Sequence, residues 1–114
     1  MVSVKRNYNS VIFEVKGWDK VFAFKSSLEI PVEHIVAVYA APNIEMNFLD
    51  SIKLLGTSIP KVFRAGTFYQ HNEIIFWDVH NTENVIVIEL KHEHFKKLIV
   101  EVENPAEAIA IIKG

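Results

Sequence analysis

Cysteine is missing from all 114 residues, which removes disulfides, thiolate nucleophiles and thiolate-bound zinc. No window reaches the ~18 consecutive apolar residues of a membrane-spanning helix. The opening MVSVKRNYNS carries basic residues with no apolar run behind them, so it does not read as a signal peptide. A cytoplasmic protein is the expectation, meeting a membrane only at its surface or through a partner. An excess of positive charge is missing too: 12 Lys and Arg stand against 14 Asp and Glu, a net charge of −2, and such a chain is a poor fit to nucleic acid. Only four glycines and four prolines occur, with no repeat and no low-complexity linker. The length suits one domain, 1–114, burying roughly two-thirds of its unfolded surface.

Hydrophobic residues make up 50% of the chain, which favours subunit contacts or a lined cavity over a bare monomer. The most legible stretch is 84–114, NVIVIELKHEHFKKLIVEVENPAEAIAIIKG. Residues 85–91 place Ile86, Ile88 and Leu90 on one face and Val85, Val87, Glu89 and Lys91 on the other, the alternation of a half-buried strand. In 97–103, Leu98, Val100 and Val102 point inward while Lys97, Ile99, Glu101 and Glu103 point outward, and the intervening HEHF closes an antiparallel hairpin. The period then changes. Asn104 is placed to cap a helix over 105–113, Pro105 sits where no amide is needed, and Glu107 reaches back toward the cap and complements the helix dipole. Ala108, Ile109, Ile111 and Ile112 form an apolar stripe, and Gly114 follows the end.

Upstream, Val11, Phe13 and Val15 alternate with Ile12, Glu14 and Lys16; Gly17-Trp18-Asp19 breaks the run and 21–25 resumes it, which predicts a first hairpin. Ile35-Val36-Ala37-Val38-Tyr39 reads as a third strand buried on both faces. Residues 62–69 read as a fourth, with Gly66 marking a bulge or a close backbone approach. Gln70-His71-Asn72-Glu73 supplies a turn, and 74–80 is a fifth strand with Ile75, Trp77 and Val79 opposed to Ile74, Phe76, Asp78 and His80. The sum is a mainly β chain of seven antiparallel strands and one C-terminal helix. Such a sheet must curl into a partly open barrel or fold into two packed sheets, with the helix over the open end.

A last strand of the kind KKLIVEVE running into ENPAEAIAIIK resembles the bacterial pleckstrin-homology-like (PH-like) domains, and FRAGTFYQHNEIIFWDVHN is similar to a segment of small bacterial proteins. The resemblance implies a seven-stranded, partly open barrel capped by a helix. It also implies a scaffold used for peptide, lipid-headgroup or subunit contacts, so function has to be argued from sites. In the first hairpin Lys16, Lys20 and Lys25 lack the Arg of the phosphoinositide pattern, and Asp19 sits among them, so they read as solvated lysines.

Three sites compete. The 42–60 segment, PNIEMNFLDSIKLLGTSIP, is too long for a hairpin loop and too apolar for a solvated one. Its Ile44, Met46, Phe48, Leu49, Ile52, Leu54, Leu55 and Ile59 need a partner, and Phe48, Ile52 and Leu55 fall at helical spacing. They serve either as a lid on the barrel or as a contact surface for a second subunit or protein partner, which Trp18 extends. Next are the polar residues: His92-Glu93-His94 in a hairpin loop and Asp78 with His80 on one strand face can be imagined as a metal or acid–base set. Arg64 is expected to pair with Asp78 on the neighbouring strand, and Tyr69 lies on the opposite face. The last is a barrel cavity for an apolar ligand, lined by Phe13, Phe22, Phe24, Phe68 and Trp77. A non-catalytic binding or assembly module without cofactor is the reading carried forward, with the metal-dependent or acid–base enzyme and the carrier as alternatives.

Overall fold

Valine, isoleucine and phenylalanine at alternate positions make this chain mostly strand, because branched and aromatic side chains pack well on a pleated surface. A computed structural model describes residues 1–23, 25–42, 44, 51–59 and 63–114, with backbone alone for 21, 22, 51–55 and 57–59. In chain order the elements are β1 (Val2–Arg6), β2 (Ser10–Val15), the one-turn α1 (Asp19–Phe22), β3 (Ser27–Pro31), β4 (Ile35–Ala40) and β5 (Ser51–Ile59). There follow β6 (Phe63–Gln70), β7 (Glu73–Val79), β8 (Val85–Leu90), β9 (Lys97–Glu101) and α2 (Pro105–Lys113). Among the described residues the strands form a three-stranded sheet, β1-β2-β3, and a six-stranded sheet, β4-β8-β9-β7-β6-β5.

The mainly β, two-sheet architecture with a C-terminal helix is the one the sequence predicts. Among the described residues, however, neither sheet closes, and nine strands form where seven were expected. One extra strand is β1, whose short Val2 and Val4 alternation pairs with β2 in register Val2↔Val15 to Arg6↔Val11. The expected partner of β2, residues 21–25, is instead partly helical, since Gly17 turns the chain at φ +65° and Asp19 opens α1, and β3 takes its place beside β2. The other extra strand is β5, which takes Ile52 and Leu55 out of the helix their spacing suggested. Pairing is not wholly antiparallel either. The β8–β9 hairpin forms as expected, but β9 then lies parallel to β7, in register Ile75↔Lys97 to Asp78↔Val100.

The core lies between the sheets. Val11, Phe13, Val15, Leu28 and Ile30 from one side meet Phe76, Ile86, Ile88, Leu98 and Val100 from the other, all buried. Helix α2 packs on β1, β4 and β8 and adds Ala108 and Ile112 to this core, joining the two sheets. Its start is built as predicted: the Glu107 amide donates to the Asn104 side chain at 3.1 Å with Pro105 in the first turn. At its other end the Arg6 guanidinium donates to the Ile112 carbonyl at 2.6 Å, a cation at the negative pole of the helix.

The opposite face of the six-stranded sheet is apolar as well. Phe68, Ile75, Trp77, Val79, Val85, Val87 and Ile99 form a second buried cluster, and Ala41 and Ile44 pack against it. Strands β8 and β9 are thus buried on both faces rather than half-buried, and even Glu101 is buried. The reverse holds for β4. It is an edge strand paired only with β8 among the described residues, so Val36 and Tyr39 are exposed instead of enclosed.

Two local expectations hold. His71 and Asn72 adopt φ of 53° and 64°, the left-handed conformations of a tight two-residue hairpin turn between β6 and β7. Gly66 marks a close approach: it faces Gly56 across β5–β6, and both have φ near +130° (132° and 133°). A Cβ on Gly56 would lie 2.1 Å from the Ala65 carbonyl oxygen and 2.6 Å from the Gly66 Cα. Gly56→Ala is therefore expected to destabilise the protein by about 1–3 kcal/mol, in the range of local backbone strain, read as a lowered urea midpoint. An unchanged midpoint would contradict the close β5–β6 approach.

Candidate functional site

Strand alternation puts Asp78 on the same side of β7 as Phe76, facing the three-stranded sheet, while Trp77 and Val79 face the outer cluster. There it meets two groups from the other sheet's end of the molecule. The chain start, leading into β1, brings the Met1 amino group, and the turn at Gly17 brings Asp19 at the head of α1. The amino group donates to Asp78 Oδ2 at 2.9 Å and to Asp19 Oδ2. His80, just past β7, places Nε2 2.9 Å from Asp19 Oδ1, and its ring stacks on Phe63 with centroids 4.0 Å apart. Ligand-capable atoms of Asp19, Asp78 and His80 all lie within 4.8 Å of one another.

Burial decides the electrostatics. The Asp78 side chain is 0% exposed, the Asp19 side chain 12% and that of His80 48%. Burial, together with the neighbouring Asp19, pushes the Asp78 carboxyl up to about 7 against the opposing pull of the amino group. Burial would raise Asp19 as well, but the hydrogen bonds it accepts from the amino terminus and from His80 outweigh it and leave Asp19 below the usual carboxylate range. For the amino group burial works downward, and the bonds to Asp19 and Asp78 outweigh it, so its pKa ends raised. Two carboxylates face one ammonium, and a proton on Asp78 removes the surplus charge.

The same corner is braced from the outer side. Buried Glu101, at the end of β9, accepts from the His80 and Asn81 backbone amides at 2.9 and 3.0 Å through Oε1. Glu101 thus holds the two amides of the turn that follows β7.

The structure divides the residues singled out from the sequence. Asp78 and His80 come together, whereas His92 and His94 lie in the β8–β9 loop beside the start of β7, about 15 Å away at ~3.3 Å per strand residue. There His34 Nδ1 contacts Glu93 Oε2 at 2.5 Å, the His92 ring stands 5.8 Å from that of His34, and His94 packs on Phe95. Arg64 does not share a face with Asp78. It is fully buried on the outer face, its guanidinium 4.5 Å from the Phe68 ring centroid and 4.7 Å from that of Trp77, a cation–π contact in an apolar layer. Tyr69 is exposed and donates to the Asn72 side chain at 3.0 Å.

The apolar candidates divide likewise. Phe13 belongs to the inner core and Phe68 and Trp77 to the outer face, so the six-stranded sheet separates residues meant to line one cavity; Phe24 and the Phe22 side chain lie outside the described residues. Ile44 packs on the outer cluster, Trp18 is 76% exposed, and Ile52 and Leu55 belong to β5. Met46, Phe48 and Leu49 lie outside the described residues. Sequence reasoning missed Asp19 and Met1 as partners of Asp78, and no periodic signal joins positions so far apart. No known family, curated protein or solved structure matches this chain.

A pH dependence follows from Asp78. Its folded pKa is raised from the ordinary 3.8 to about 7, so in this window the folded state holds a proton that the unfolded chain has released. Stability from this group therefore falls as pH rises from about 4 to about 7 and levels off above. Urea unfolding across that window should give a steeper decline for the wild type than for Asp78→Asn, in which the titrating group is gone. Equal slopes would contradict the buried, raised carboxyl.

Proposed function

We propose that this chain is a non-catalytic binding or assembly module, cytoplasmic and built on a PH-like scaffold, whose partner is a second copy of itself or another protein. The observation that carries the reading is the edge strand β4. It pairs on one side only among the described residues, leaves Val36 and Tyr39 exposed, and leads directly into the apolar 42–60 sequence. An open strand edge beside exposed apolar side chains is a template for strand pairing with another chain.

The route of the chain adds to this. Strand β4 forms one edge of the six-stranded sheet and β5 the other, so the connection must cover about 24 Å at ~4.8 Å per strand spacing. Ala41 and Ile44 set out across the outer face, which supports a covering role for the first part of the segment. The enzyme alternative loses its geometry with the separation of His92 and His94 from Asp78, and the carrier alternative with the sheet between Phe13 and Trp77.

Light scattering on a concentration series tests the reading. A defined oligomer is expected, shifting toward monomer in Val36→Lys and in the Phe48→Ser, Ile52→Ser double variant while circular dichroism stays unchanged. A wild type that remains monomeric and retains no protein partner on purification contradicts it.

A further inference from the structure

We propose that Asp19, Asp78 and His80 form a binding site for a divalent first-row transition metal, with zinc the ion best matched to their nitrogen and oxygen donors. The three side chains come from α1, from the end of β7 and from the residue beyond it, and their ligand-capable atoms lie within 4.8 Å of one another. Donors around one tetrahedral zinc, each at 2.0–2.2 Å, stand roughly 3.3–3.5 Å apart. Small side-chain rotations of the half-exposed His80 and of Asp19 close that difference.

Two independent features point to a cation here. One is that a cation is already seated: the Met1 ammonium lies between Asp19 and Asp78 and bonds to both. The other is Asp78 itself. Its side chain is fully buried, and its Oδ1 has no hydrogen-bond partner, so a carboxylate oxygen has been withdrawn from water without replacement. A metal ion supplies both the missing contact and the missing charge.

Chemistry selects the ion. An imidazole nitrogen with two carboxylates suits zinc and its transition-metal neighbours, whereas calcium takes six to eight oxygens and magnesium keeps its waters. The His80 ring stacks on Phe63 and its backbone amide donates to Glu101, which keeps the imidazole beside the two carboxylates. The Met1 amino nitrogen, on losing a proton, is the nearest fourth donor. The role is one of holding the two sheets together at this seam, separate from the contact surface at β4.

Calorimetric titration of chelator-treated full-length protein with zinc tests the proposal, with cobalt as a spectroscopic probe of coordination. One zinc per chain is expected, weakened at least tenfold by His80→Ala and by Asp19→Asn, and unchanged in the His92→Ala, His94→Ala double variant. Cobalt should give the visible absorption of a four-coordinate site in the wild type and lose it in His80→Ala while circular dichroism shows that the variant remains folded. Absence of zinc binding, binding that survives His80→Ala, or binding lost with His92 and His94 would each overturn it.

Discussion

The structure depends on a six-stranded sheet that must be covered on both faces. In β7, β8 and β9 apolar side chains occupy both parities: Phe76, Ile86, Ile88, Leu98 and Val100 point one way, and Ile75, Trp77, Val85, Val87 and Ile99 the other. Burying such a chain on one side alone would leave several large side chains in water, at ~1.5–3 kcal/mol for each. The three-stranded sheet and α2 answer for the inner face. The outer face carries its own buried cluster, into which Ala41 and Ile44 pack and over whose rings Arg64 lies. From this follows the long connection between β4 and β5, which joins the two edges of a sheet that has no polar face to spare.

The same demand explains where the charge is. A carboxylate on the inner side of β7 is closed between two sheets, and the field of its surroundings decides whether it keeps its proton. Asp78 is supported from the three-stranded side by Met1, with Asp19 and His80 completing the group, while Glu101 fixes the turn behind it. The seam is therefore polar at one corner and apolar elsewhere. At the opposite end of the sheet, His34, His92 and Glu93 form a more exposed group without such enclosure.

Much of this was legible because it is local. The alternation of β8 and β9, the Asn104-Pro105 helix start and the tight turn at His71-Asn72 each depend on residues a few positions apart, and each is found where the sequence puts it. Pairing is not local. Nothing in the period of 97–101 says that β9 runs parallel to β7, and nothing in Ile35-Val36-Ala37-Val38-Tyr39 distinguishes an edge strand from a central one. The polar corner failed to show for the same reason: Asp19 follows a turn, Asp78 ends a strand 59 positions later, and only the stacking of two sheets brings them together. Arg64 and Asp78, adjacent in the pairing of β6 and β7, were separated by parity, which a register of one residue decides.

Burial of the sheet on both faces is the central claim, and the two tryptophans report on it separately. Trp77 is enclosed in the outer cluster, whereas Trp18 stands in water. The fluorescence of a Trp18→Phe variant, which leaves Trp77 as the sole emitter, is the direct measurement. Blue-shifted emission that acrylamide quenches poorly is the result expected of a covered outer face. Red-shifted, readily quenched emission from a folded protein would show that face open to solvent and contradict the account.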